Sequence, residues 1–125
     1  MRRILNSFLQ FIEQDGSESI IIAATNNQKL LDQALFRRFD DVLHYTLPTQ
    51  IEIKRLLEYK IKSYDEYFII PRDVVKAAEG LSHAEIARVC DDVIKNSILN
   101  DEPITDKVMV SLLNERQNVY SCKEA

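Results

Sequence analysis

The sequence holds 125 residues, 46% apolar and 29% charged, with only 2 Gly and 3 Pro. That leaves room for one domain or part of one, and the recurrence of apolar residues along the whole length excludes a disordered chain. A net charge of −4 argues against a duplex-DNA binder held by phosphate contacts, and no stretch approaches the ~18 consecutive apolar residues of a membrane span. Cys90 and Cys122 lack metal or redox spacing and fit a reducing compartment, so a cytoplasmic location is expected. Cys90 falls within an apolar helical pattern and is read as core.

Residues 2–14 predict an amphipathic helix, with Ile4, Leu5, Phe8, Leu9, Phe11 and Ile12 at helical spacing. No capping residue precedes it, which suggests a chain that starts inside a larger plan. Asp15-Gly16-Ser17-Glu18 is a turn. Ile20-Ile21-Ile22-Ala23-Ala24 is a continuous, β-branched apolar run that predicts a strand buried on both faces, as in a parallel sheet. After polar Thr25 to Gln28, a short helix carries Leu30, Leu31, Ala34 and Leu35, and Val42 to Leu47 predicts a second strand stopped by Pro48.

Beyond Pro48 the pattern is all helical. Thr49-Gln50-Ile51-Glu52 has the spacing of a capping box, in which hydroxyl and carboxylate each satisfy an orphan amide. Ile53, Leu56, Leu57, Lys60, Ile61 and Tyr64 follow at helical spacing, with Lys60 at the stripe's edge extending its charge to water. Pro71 opens a short helix through Val74, Val75 and Ala78, stopped by Gly80. Ser82-His83-Ala84-Glu85 is a second capping box, opening a long helix with Ile86, Val89, Cys90, Val93, Ile94 and Ile98 on one face. Thr105 can cap a last helix that turns Val108, Leu112 and Leu113 inward.

Within about 21 residues, Ile20 to Asp40 reads IIIAATNNQKLLDQALFRRFD. An apolar strand ending in Ala-Ala-Thr-Asn, then Leu-Leu-Asp-x-Ala-Leu, then Arg and Arg-Phe-Asp, resembles the second region of homology of AAA ATPases. Arg3-Ile4-Leu5-Asn6, Leu47-Pro48 and Gly80-Leu81-Ser82-His83-Ala84-Glu85-Ile86 fall in the same order as in that family. The resemblance implies an α/β fold: a partial P-loop NTPase-type parallel sheet layer over residues 1–47, followed by a small four-helix lid over 48–125. It implies that Asn26 is sensor 1, a neutral side chain that orients the attacking water. Read alone, Asn26 would cap a helix or form a turn. Arg37 and Arg38 align with the arginine fingers that reach into a neighbouring subunit's ATP site, where guanidinium charge stabilises the transferring phosphoryl. Read alone, they are a solvated basic pair at a helix end. The family often places Pro-Gly between these arginines; here they are adjacent, so which one is the finger stays open, and Asp41 stands where an Arg often follows.

Ser82-His83-Ala84-Glu85 replaces the family's Ser-Gly-Ala-Asp, whose backbone lies near the adenine. His83 and Ala84 are therefore cofactor-binding candidates, with His83 either stacking on a base or facing water. Arg88, one turn on, is either a sensor 2 arginine or an exposed partner of Glu85. The phosphate-cradling G-x-x-x-x-G-K-[ST] has no counterpart, since the glycines are Gly16 and Gly80. Asp40-Asp41 and Asp91-Asp92 are misplaced for Mg²⁺ and are read as solvated faces, so no metal site is expected. The expectation is the C-terminal part of an AAA ATPase that does not hydrolyse ATP alone. ATP and Mg²⁺ belong to the complete domain, identical or homologous subunits form a ring (a hexamer by family), and a protein is the remodelled substrate; neither nucleic acid nor membrane is expected. Two alternatives remain: a helix-turn-helix DNA-binding module built on Gly80 to Cys90, and a partner-docking helical domain.

Overall fold

The computed structural model describes residues 2–25 and 37–124. Five helices occur there: α1, Arg2–Gln14; α2, Gln50–Lys62; α3, Arg72–Ala78; α4, His83–Asn100; and α5, Asp106–Glu124. The chain divides into two compact units, Met1–His44 and Tyr45–Ala125.

In the first unit α1 ends where polar side chains take over backbone bonding. The Asp15 carboxylate accepts from the Ser17 amide at 3.1 Å, and the Ser17 hydroxyl accepts from Ser19 at 3.4 Å. Hydrogen bonding to Asp15 from Ser17, its side chain first and its backbone amide second, holds the Asp15 carboxyl below its ordinary range. The parallel sheet layer expected from the sequence is corrected here: no strand forms among the described residues. Residues 20–24 and 42–47 lack strand pairing, and Ile20 and Ile22 are each 88% exposed. A strand exists only when a neighbour takes its backbone N–H and C=O groups. Apolar, β-branched composition signals aptitude for such pairing and says nothing about whether a neighbour is there. The short helix expected around Leu30 to Leu35 lies outside the described residues.

In the second unit each helix start follows from local chemistry. The Thr49 hydroxyl accepts from the Glu52 amide at 3.4 Å and the Glu52 carboxylate accepts from the Thr49 amide at 3.2 Å, a complete capping box. Replacing Thr49 by alanine is expected to destabilise this unit by about 0.5–2 kcal/mol, read as a lowered urea midpoint with an unchanged slope. At α4, the Ser82 hydroxyl accepts from the Glu85 amide at 3.2 Å, while the Glu85 carboxylate pairs with Arg116 of α5. Gly80 stops the chain after α3 with φ +88, where a β-carbon would be strained. The Gln117 side-chain amide donates to the Ala77 and Glu79 carbonyls, fixing that turn to α5.

The four helices share one core. Ile53, Leu57 and Ile61 of α2, Val74 and Ala78 of α3, Ile86 and Cys90 of α4, and Met109 and Leu113 of α5 are all fully buried. α2 packs on α4 and α3, while α5 packs on α3 and α4. Some facing positions differ from the sequence expectation. On α5, Met109 points inward and Val108 is 40% exposed. On α4, Ser97 takes the buried place and Ile98 is 61% exposed, because the Ser97 hydroxyl donates to the Glu102 carbonyl and so satisfies its polar group inside. α4 runs from His83 to Asn100 as one helix, so it contains no turn separating a scaffold helix from a recognition helix.

Candidate functional site

The sequence-derived site residues fall in two groups, one in each unit. Asn26 lies outside the described residues. Arg37 and Arg38 begin a turn that follows, and both are exposed. The Arg38 guanidinium pairs with Glu13 near the end of α1. This partner was not visible to sequence reasoning, because charges 25 positions apart give no local signal.

In the second unit, His83 is the first residue of α4 and Ala84 the second, both exposed, with Arg88 exposed one turn further. The His83 Nε2 lies 4.0 Å from the Glu52 carboxylate of α2, and both side chains are about half exposed at 53%. The same Glu52 oxygen closes the Thr49 cap. One carboxylate thus caps the start of α2 and lies near the first residue of α4. A second cross-helix tie joins the Lys60 ammonium to Asp91 at 2.6 Å; this hydrogen bond raises the Lys60 pKa. Lys60 therefore binds a carboxylate, where the sequence suggested a charge extended to water.

Cys90 is fully buried beside this tie, and burial pushes its thiol up from 9.0 to about 11. The folded chain keeps this proton at pH values where the unfolded chain releases it. Stability from this group is complete below pH 9 and falls as pH rises towards 11, by about 2–3 kcal/mol. Urea midpoints at pH 8 and pH 10.5 are expected to show this loss in the parent and a smaller one in Cys90→Ala.

No group of three or more metal-ligating side chains occurs among the described residues, and no helix there is long and apolar enough to cross a membrane. A cleft of about 430 Å³ lies at the opposite end of α4 from His83, between Tyr64, Asp101, Glu102 and Pro103, and contains none of the site residues read from the sequence.

The family model described as ATPase family associated with various cellular activities (AAA) matches residues 1–47. An uncharacterized AAA family ATPase, y4kL, of Sinorhizobium fredii is 42% identical over 99 residues, covering 79% of this chain and 30% of that protein. At least half of that match lies beyond residue 47, so the likeness continues into the helical unit. The ATP-dependent zinc metalloprotease FtsH of Rickettsia bellii is 31% identical over 96% of this chain and 21% of its own length. A putative 26S proteasome regulatory subunit homolog of Methanothermobacter marburgensis is 29% identical over 94% of this chain and 33% of its own length. The chain thus spans about a third or less of each of these relatives. No solved structure matches it. The match to residues 1–47 and the relatives that carry it on through the four-helix unit place the chain in the AAA family of ATPases.

Proposed function

We propose that this chain supplies the sensing and trans-acting part of an AAA ATPase, with ATP and Mg²⁺ held mainly by a phosphate-loop segment that it does not contain. The observation that carries this reading is the order Asn26, Arg37, Arg38 inside the segment matched by the family model, with both arginines exposed. Asn26 would orient the attacking water through a neutral amide. Arg37 and Arg38 would offer guanidinium charge to the phosphoryl group in a neighbouring subunit, in a reaction dominated by positioning and electrostatics. The four-helix unit would serve as a lid, with the backbone of His83 and Ala84 beside the base and Arg88 one turn further. Subunits would assemble as a ring, a hexamer by family, and act on a protein; the relatives named as a metalloprotease and a proteasome regulatory homolog support that substrate class.

The test exchanges the corresponding segment of the Sinorhizobium fredii relative for this chain and measures ATP turnover. The chimera is expected to hydrolyse ATP and the chain alone is not. A chimera that folds and assembles yet hydrolyses nothing would sink the proposal. Against the DNA-binding alternative, no salt-dependent binding to random duplex is expected, in line with the unbroken α4 and its exposed Asp91 and Asp92.

A further inference from the structure

The end of α4 is electrostatically unfavourable as it stands. The C-terminal end of a helix carries negative partial charge and favours cations, yet the last turn of α4 holds no basic residue and Asp101 caps it. Glu102 follows, Asp65 comes from the turn after α2, and all three line the 430 Å³ cleft. None of these carboxylates forms an ion pair among the described residues, and the Lys60 ammonium of α2 is committed to Asp91. The cleft is also held in shape. The Ser97 carbonyl accepts from the Asp101 and Glu102 amides. The Ser97 hydroxyl donates to the Glu102 carbonyl and lies 3.3 Å from the Tyr64 hydroxyl. One buried residue thus ties the carboxylate-bearing loop to an aromatic wall. A second recess of about 100 Å³ shares Glu102, Pro103 and Ile104 with the first and is lined further by Val93 and Val108.

We infer that this groove docks an extended, arginine-bearing segment of another protein. The guanidinium would enter the first recess, stack on the Tyr64 ring and pair with the Asp101 and Glu102 carboxylates. Side chains two residues apart lie on one face of an extended peptide, so an apolar residue at that spacing would fill the second recess. Both volumes suit side chains of a peptide rather than a folded domain. A metal ion fits less well, because no three ligating side chains among the described residues stand close enough to hold one. The charge is spread along a groove, as a cationic chain requires. Nucleic acid is repelled, since carboxylates face its phosphates. Arginine suits the site better than lysine, because a planar guanidinium stacks and pairs at once. The groove contains none of the residues assigned to nucleotide chemistry, so the inference stands or falls apart from the proposed function.

The test titrates the whole chain with the capped peptide Gly-Arg-Gly-Val-Gly and follows the backbone amide resonances. Saturable shifts are expected at Tyr64, Asp65 and from Ser97 to Glu102, weaker at high salt. The same peptide with citrulline for arginine keeps the shape without the charge, and is expected to bind at least about tenfold more weakly. Glycine for valine is expected to weaken binding about threefold or more. Asp101→Asn with Glu102→Gln is expected to lose at least about tenfold for the arginine peptide; Asn tolerates the left-handed backbone of Asp101, at φ 52. Tyr64→Ala, which leaves the carboxylates, is expected to weaken binding as well. No saturable shift, equal binding of the citrulline peptide, unchanged affinity in the double variant, or shifts spread over Asp91, Asp92 and the other exposed carboxylates each overturns the inference. Spermidine binding there as tightly as the peptide would make the groove a site for small polycations. Concentration-dependent shifts of the groove without peptide would give it to a second copy, and either result also overturns the inference. Circular dichroism confirms that each variant is folded.

Discussion

Removing both Arg37 and Arg38, as alanines, in an ATPase ring containing this chain is expected to lower turnover by about 10³–10⁵-fold, the range seen when a phosphoryl-transfer site loses its arginine. The effect should fall on kcat at saturating ATP and much less on KM, because charge on the transferring group develops in the transition state. The single variants separate the two arginines. The Arg38 guanidinium is already held by Glu13 within its own unit, whereas no ion pair is found for Arg37 among the described residues, so Arg37→Ala is expected to carry the larger share. The Arg38–Glu13 pair is solvent-exposed on both sides and is worth at most about 1 kcal/mol, a weak tether that a ring contact could break. Lysine is not expected to rescue at the finger position, since a point charge cannot reproduce the planar fork. If the double variant turns over within about twofold of the parent in an assembled ring, the finger assignment is wrong.

How much could be read in advance follows from the range of the interactions involved. The capping box at Thr49 and the glycine stop at Gly80 are visible in sequence because their partners lie within a few positions. The inward faces of α2 and α4 were legible for the same reason: Ile53, Leu57 and Ile61, and Ile86, Cys90 and Val93, repeat at helical spacing. Long-range pairing was not legible. The strand expectation at residues 20–24 failed because composition cannot supply a neighbour, and Glu13–Arg38, Glu52–His83, Lys60–Asp91 and Glu85–Arg116 join positions 25 or more apart. The face of α4 slipped by one residue near its end because Ser97 reads as polar, yet its hydroxyl is satisfied internally and Ile98 is left outside. Of the candidate site, the motif order is legible, while the nearness of the Glu52 carboxylate to His83 belongs to tertiary structure.

Leu57→Ala is expected to be the most damaging single truncation of the helical unit. Leu57 is fully buried midway along α2, between Ile53 and Ile61 and within the core built with α4 and α3. Deleting a buried leucine to alanine costs about 2–5 kcal/mol, part lost transfer energy and part residual cavity. A unit of about 80 residues has roughly 4–12 kcal/mol in total, so this one change removes a large fraction, and the melting temperature should fall by roughly 10–40 °C. The consequence reaches the candidate site, because α2 carries Glu52 against His83; loosening its seat on α4 frees the first turn of α4 to shift. Ile98→Ala is the matched comparison. Sequence periodicity placed Ile98 with the core, whereas the structure leaves it 61% exposed, so its truncation should cost less than about 0.5 kcal/mol. Thermal melts of the two variants therefore test the rotation of α4 itself. Equal losses would mean that Ile98 faces inward and that His83, Ala84 and Arg88, carried on the same helix, point in directions other than those described.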